Sequence, residues 1–215
     1  MTSSVAPALV ARVREEAGAF FAGARGSHDW DHTERVRRLA LRIGRKEKAD
    51  LGVLELAALL HDVGREAEDR SRGRDCHAKA GAALARTVLE RNGVDRATVR
   101  AVVHCIATHR YRGRAVPESL EAKVLFDADK LDSIGAVGVG RAFLFAGEVG
   151  ARLHDKDVDV AKTKPYTRED TAYREYLVKL GRVRDRMTTR EGRRLAAGRH
   201  RFMAAFFARL HKETD

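Results

Sequence analysis

Two polar residues close a largely apolar run in the stretch Leu59-Leu60-His61-Asp62-Val63-Gly64. The run begins at Leu54 and is expected to be buried, so an imidazole and a carboxylate at its end need partners to offset their desolvation. A hydrogen bond is one such partner. A metal ion is a stronger one, because both residue types ligate metals and the ion neutralises the carboxylate. Three other stretches carry residues of the same kind: His32 in HDWDHTERV, His104 and His109 in VVHCIATHR, and Asp129 in LFDADKLDSIGAVG. Helical spacing separates the two aspartates of the last stretch. At about 100° per residue, Asp129 falls near Ala122, Leu125 and Phe126, whereas Asp127 points with Lys123 and Lys130. Asp129 is therefore expected on an apolar arc and Asp127 in solvent.

Residues that converge on one ion must be carried by elements that face one another, and the chain reads as successive helices. The first is expected from Pro7 to Phe21 and the second from Asp29 to Lys48, with Val36, Leu39, Ala40 and Ile43 on its inner face. Asp50 can cap a third, which carries Leu54 to Leu60 and ends by Gly64. The stretch REAEDRSRGRDC reads as a polar loop. A fourth helix runs from His77 to Arg91 and stops at Asn92-Gly93. Asp95 can cap a fifth, which reaches His109. Pro117 opens a sixth, from Glu118 to Asp132, and a seventh spans Val137 to Glu148. Gly150 to Thr167 has no helical period and is the best candidate for a loop or lid. Two more helices are expected, Arg168 to Met187 and Thr189 to His211, the last burying Leu195, Phe202, Phe206 and Leu210. Strand signals are weak, so the fold class is all-α, with irregularly packed helices and not an up-and-down bundle.

Composition narrows the function classes. The 215 residues are 44% hydrophobic and 34% charged, with three prolines and 6% aromatics. This describes a soluble globular chain rich in helix formers and excludes a disordered one. No apolar run approaches membrane-spanning length. The opening MTSSVAPALVARVREEAGAFF has no basic start followed by an apolar core, so no secretory signal is expected. Cys76 and Cys105 form no Cys-x-x-Cys pattern, which suits a reducing cytoplasm. The net charge of +11 raises nucleic-acid binding. Yet the basic residues, mostly arginine, are spread along the chain, with no interleaved aromatics to stack on bases, so that reading is not favoured. A basic surface would still attract small phosphorylated molecules.

The order His … His-Asp … Asp, carried by His32, His61-Asp62 and Asp129, resembles the HD-domain superfamily of metal-dependent phosphohydrolases. The stretches SHDWDHTERV, ELAALLHDVG, DADKLDSIGAVGVGRAF and RHRFMAAFF are similar to one bacterial subfamily of small single-domain members, from about His28 to Leu210. The resemblance implies one HD domain over residues 1–215, with a core at about 28–145 and a C-terminal helical extension at about 167–211. It implies one divalent ion held by His32, His61, Asp62 and Asp129: Mn²⁺, Mg²⁺, Co²⁺, Ni²⁺, Fe²⁺ or Zn²⁺, with Mn²⁺ favoured. Two imidazoles and two carboxylates make a mixed N/O site suited to such an ion. An ion of this kind lowers the pKa of bound water and polarises a phosphoryl group. The implied substrate is a small phosphorylated molecule, a nucleotide by analogy with relatives.

Other residues are candidates for the surroundings of the ion. Arg65, four residues after His61, is either a phosphate contact or a solvated helix-end cation. Some HD families carry an acid at this position, and that role does not transfer to arginine. Lys130 and Arg141 flank Asp129 and could neutralise phosphate, with Asp62, Arg65 and Lys130 taken as the catalytic set. His28, Arg35, His104, His109 and Arg141 are the substrate-side candidates. His77 and His104 would extend the pattern to that of dinuclear HD proteins, some of which are phosphodiesterases and a few di-iron oxygenases. A signalling or nucleic-acid-binding module with a structural metal is the non-enzymatic alternative.

Overall fold

The computed structural model describes residues 5–22, 29–71, 74, 76–110 and 115–214. Among them there are ten α-helices and no strand: α1 (Pro7–Ala19), α2 (Trp30–Glu47), α3 (Leu51–Leu60), α4 (Arg65–Arg70), α5 (His77–Arg91), α6 (Arg96–Thr108), α7 (Leu120–Asp132), α8 (Gly135–Glu148), α9 (Ala172–Val178) and α10 (Arg190–Glu213). The all-α expectation holds. No helix among the described residues is long and apolar enough to cross a membrane. The chain divides within α7 into two compact units, one reaching Asp129 and the other continuing from Lys130.

In the first unit α3 is the central element. Val53, Leu54, Leu56, Ala57, Ala58, Leu59 and Leu60 are all buried. A helix apolar on every side has no solvent face and must be enclosed. It packs against α1, α2 and α6, while α5 packs on α6 and α4 on α5. The start of α3 is set by Asp50, whose carboxylate accepts from the Gly52 and Val53 amides at 2.8 and 3.2 Å. Asp95 caps α6 in the same way, from Ala97 and Thr98 at 2.9 and 3.0 Å. On α2 the stripe Val36, Leu39, Ala40 and Ile43 is buried as its spacing requires. On the same helix, Glu34 accepts from Arg14 of α1 at 2.8 Å and from Arg37 at 3.2 Å. Arg37 also reaches Glu55 of α3.

One backbone approach fixes the spacing around the end of α3. A Cβ on Gly64 would lie 2.4 Å from both the Gly81 nitrogen and the His77 carbonyl oxygen. Neither atom belongs to a side chain that could swing away, so only glycine permits α5 to pass this close.

In the second unit α8 and α9 pack together, α10 packs on α8, and the 3₁₀ turn Leu180–Arg186 packs on α9 and α10. An aromatic cluster joins them, with Tyr173 and Tyr176 against Phe207 and Phe143 against Phe206 and Phe207. The segment from Gly150 to Thr167 is irregular, as expected, apart from a 3₁₀ turn at Val160–Lys162. It is held to α9 by Arg174, which donates to Thr163 Oγ1 at 2.6 Å and to Asp170 at 2.7 Å.

Four local expectations are corrected. Part of the polar loop after Gly64 is helical: α4 forms where Glu66 and Glu68 sit in a first turn, the end that favours acidic side chains. The expected helix from Arg168 to Met187 is α9 followed by a 3₁₀ turn, broken at Lys179, whose backbone is non-helical (φ −143°, ψ −58°). The buried stripe of α10 is Ala196, Met203 and Phe207, one residue on from the one expected, and Phe202 is 49% exposed. Asp127 is buried, because Ala122, Val124, Leu125, Phe126, Ala128 and Leu131 are buried around it and leave that part of α7 no solvent face.

Two measurements check this account. Gly64→Ala is expected to cost about 3 kcal/mol in urea unfolding, since the added methyl meets rigid backbone; wild-type stability would mean that α3 and α5 can part freely. Burial raises the Glu34 carboxyl, but Arg14 and Arg37 overcome this and hold it below the usual 4.5. Its contribution is therefore present above that pH and fades as pH falls through it. Glu34→Gln should lose about 1–2 kcal/mol at pH 7 and progressively less toward pH 4.

Candidate metal centre

The enclosure of α3 delivers His61 and Asp62 to the interior. His61 is fully buried, and its Nδ1–H donates to the Ala58 carbonyl three residues back at 2.8 Å. That bond assigns the ring proton to Nδ1 and leaves Nε2 as a bare acceptor. Burial pushes the His61 pKa down to about 4, against the pull of Asp62 and Asp129, so the ring is neutral at pH 7.

His32 meets it from the first turn of α2, where Asp29 caps the helix by accepting from the His32 amide at 2.9 Å. His32 Nε2 lies 3.3 Å from His61 Nε2, 3.6 Å from Asp62 Oδ2 and 3.5 Å from Asp129 Oδ1. His61 Nε2 is 3.7 Å from Asp62 Oδ2. His32, His61 and Asp129 thus form one triad of potential ligands with Asp62 beside it. The sequence motifs named all four residues.

A second triad consists of Asp62, His77 and His109. His109 follows α6, and its Nδ1–H donates to the Ile106 carbonyl at 2.6 Å. His77 opens α5, and its Nδ1–H donates to Glu68 Oε2 at 2.6 Å. With Nδ1 as the donor in both rings, the two Nε2 atoms are left to face each other at 3.2 Å. Asp62 Oδ1 is 3.7 Å from the first and 3.6 Å from the second. Burial first and Arg65 next depress the His77 pKa to about 2, so its ring is neutral near pH 7. Ring nitrogens and a carboxylate oxygen that converge in this way could hold a cation. Asp62 therefore stands between the triads, with Oδ2 toward one and Oδ1 toward the other.

Arg65 lies across this carboxylate, with Nη2 at 3.0 Å from Oδ1 and 3.2 Å from Oδ2. Its Nη1 donates to Glu68 Oε2 at 2.9 Å, and Arg110 donates to Glu68 Oε1 at 2.8 Å. Burial opposes the Arg65 charge, but Asp62 and Glu68 outweigh it and raise the guanidinium pKa above its ordinary value. Arg65 is thus an internal partner of Asp62, not a solvated helix-end cation. Its Nε is buried with no acceptor among the described residues.

His104 accepts from the Glu118 amide at 3.3 Å and lies outside both triads, so His109 takes the place beside His77 that was expected of His104. His77 is buried and is not a surface residue. Arg35 lines a groove with Arg14 of α1 and with Trp30, Asp31, Glu34 and Arg38. Lys130 is buried, next to Asp129 in the chain. In the second unit Arg141 donates to Asp132 at 2.9 Å. His28 lies outside the described residues. Sequence reasoning missed Glu68, whose only signal was its i, i+3 spacing from Arg65 in a stretch read as loop.

A family model described as HD domain matches residues 29–134. The uncharacterized protein YpgQ of Bacillus subtilis strain 168 is 39% identical over 191 residues, 86% of this chain and 84% of YpgQ. The crystal structure of B. subtilis YpgQ in complex with ADP superposes with a TM-score of 0.75 at 34% identity, covering 96% of this chain and 95% of that one. A crystal structure of a HD-superfamily hydrolase from Bacillus thuringiensis gives a TM-score of 0.73 at 26% identity, covering 95% of each chain. On this extent of similarity, and with the His-Asp set in place, the chain belongs to the HD-domain superfamily.

Proposed function

We propose that this protein is a metal-dependent phosphohydrolase that cleaves a phosphoester or phosphoanhydride bond of a nucleotide. The observation that carries the proposal is the convergence of His32, His61, Asp62 and Asp129, whose facing donor atoms lie 3.3–3.7 Å apart. These residues would hold one divalent ion, with Mn²⁺ favoured. Such an ion supplies Lewis acidity toward a phosphoryl oxygen and lowers the pKa of water bound to it. The chain's own residues do the rest. Neutral His61 offers its lone pair without first losing a proton. Asp62 or Asp129 would accept a hydrogen bond from the attacking water and aim it. Arg65 neutralises Asp62, and its buried Nε–H is a donor suited to a ligand oxygen. Lys130, beside Asp129 in sequence, is a candidate for the same role on that ground alone. The nucleotide class is supported by the ADP bound to YpgQ, and hydrolysis by the relative from B. thuringiensis.

The Asp62, His77 and His109 triad favours a second reading, in which two ions are held with Asp62 common to both. Two-ion sites also serve phosphoryl transfer, so this reading alters the ion count and not the reaction class.

Phosphate and pyrophosphate release from a panel of nucleotides, with and without Mn²⁺, Mg²⁺, Co²⁺ or Ni²⁺, is the direct test. Turnover is expected only with metal, and Asp62→Ala is expected to lower kcat/KM by at least about a hundredfold. Absence of turnover with every metal and nucleotide would sink the proposal. The ion count is tested by Mn²⁺ titration of wild type, His109→Ala and His104→Ala. The second reading expects two ions per chain, with one lost in His109→Ala and none in His104→Ala; one ion in all three proteins would refute it.

A further inference from the structure

The three histidines whose ring proton is assigned are not oriented in the same way. His61 and His109 each donate Nδ1–H to a carbonyl three residues earlier, Ala58 and Ile106, so their own chain segments set the rings. His77 cannot do this. It is the first residue of α5, with no helical turn of α5 before it to present a carbonyl. Its Nδ1–H goes instead to Glu68, on the separate helix α4. The same carboxylate, itself nearly buried, accepts from Arg65 at 2.9 Å and from Arg110 at 2.8 Å. One side chain thus holds a ring nitrogen and two guanidinium groups at the edge of the second triad.

We propose that Glu68 is the positioning residue of the second triad: it fixes His77 in the tautomer whose Nε2 is bare and faces Asp62 and His109, and so sets the affinity of that triad for a cation. The cation half of the proposal rests on the two-ion reading above; the tautomer half does not. Imidazole ligands are commonly oriented by a carboxylate on their other nitrogen, and losing that carboxylate weakens metal binding by about 10–100-fold. Here the effect falls on His77 alone, because backbone carbonyls already hold His61 and His109.

The test compares wild type with Glu68→Leu and Glu68→Gln. Circular dichroism melts of both variants first confirm folding, and Glu68→Gln keeps an acceptor of the same shape should Glu68→Leu fail to fold. Long-range ¹H–¹⁵N spectra of histidine-labelled, metal-free protein report which ring nitrogen carries the proton. Wild type and Glu68→Gln should show His77 protonated at Nδ1, and Glu68→Leu should show the proton moved to, or exchanging with, Nε2. In Mn²⁺ titrations Glu68→Leu should weaken one class of site by about 10–100-fold and leave the other unchanged. Glu68→Gln should fall between, because it keeps the hydrogen bond but strips the arginines of their counter-charge. An unchanged His77 tautomer in Glu68→Leu would overturn the proposal. A changed tautomer with unchanged Mn²⁺ binding would overturn its cation half and the two-ion reading, leaving the hold on His77 standing.

Discussion

The Asp62 carboxylate, set between two pairs of imidazole nitrogens, is the constraint around which the first unit is organised. It is almost wholly buried, and His32 and His61 face one of its oxygens while His77 and His109 face the other. Lone pairs gathered in a low-dielectric interior repel one another unless positive charge is supplied. The protein supplies part of that charge through Arg65, which spans both oxygens. The remainder is what the proposed divalent ion would supply.

That arrangement is possible because α3 has no solvent face. A helix closed in by α1, α2 and α6 places the residues that follow it where water is scarce, and those residues are His61 and Asp62. The partners arrive at element ends: His32 in the first turn of α2, His77 at the start of α5, His109 just past α6 and Asp129 late in α7. Helix ends leave backbone groups in need of partners, and several of them are settled locally here, by Asp29, Asp50 and Asp95 at the N-termini of α2, α3 and α6 and by ring N–H groups on carbonyls at His61 and His109.

What the sequence made legible follows from this. His61, Asp62 and Asp129 stood out as polar residues in apolar settings, and the resemblance to the HD domain joined them with His32 as one ligand set. The stripe of α2 and the caps of α3 and α6 were equally plain, being local properties. Glu68 was not legible, since its importance comes from docking α4 on α5 and no spacing encodes that. His104 and His109 stood in one motif, and choosing between them needed the position where α6 ends. Asp127 misled because a helical wheel assumes one solvated side, and α7 has none at that point. The stripe of α10 slipped by one residue because Phe202 and Phe206 outweighed Met203 and Phe207 in a pattern that either phase satisfies.

The two triads differ in how durable they are. The rings of His61 and His109 are set by carbonyls within their own chain segments, so their orientation is established as soon as those turns form. The orientation of His77 waits on Glu68, and therefore on α4. Six residues are fewer than two helical turns, well short of what holds a helix together in water without packing. A local opening of α4 would break the Glu68 contacts to His77, Arg65 and Arg110 together, while the Ala58 carbonyl would still hold the His61 ring. Backbone amides of α4 would then exchange ahead of those of α3, whose opening requires that of its surroundings.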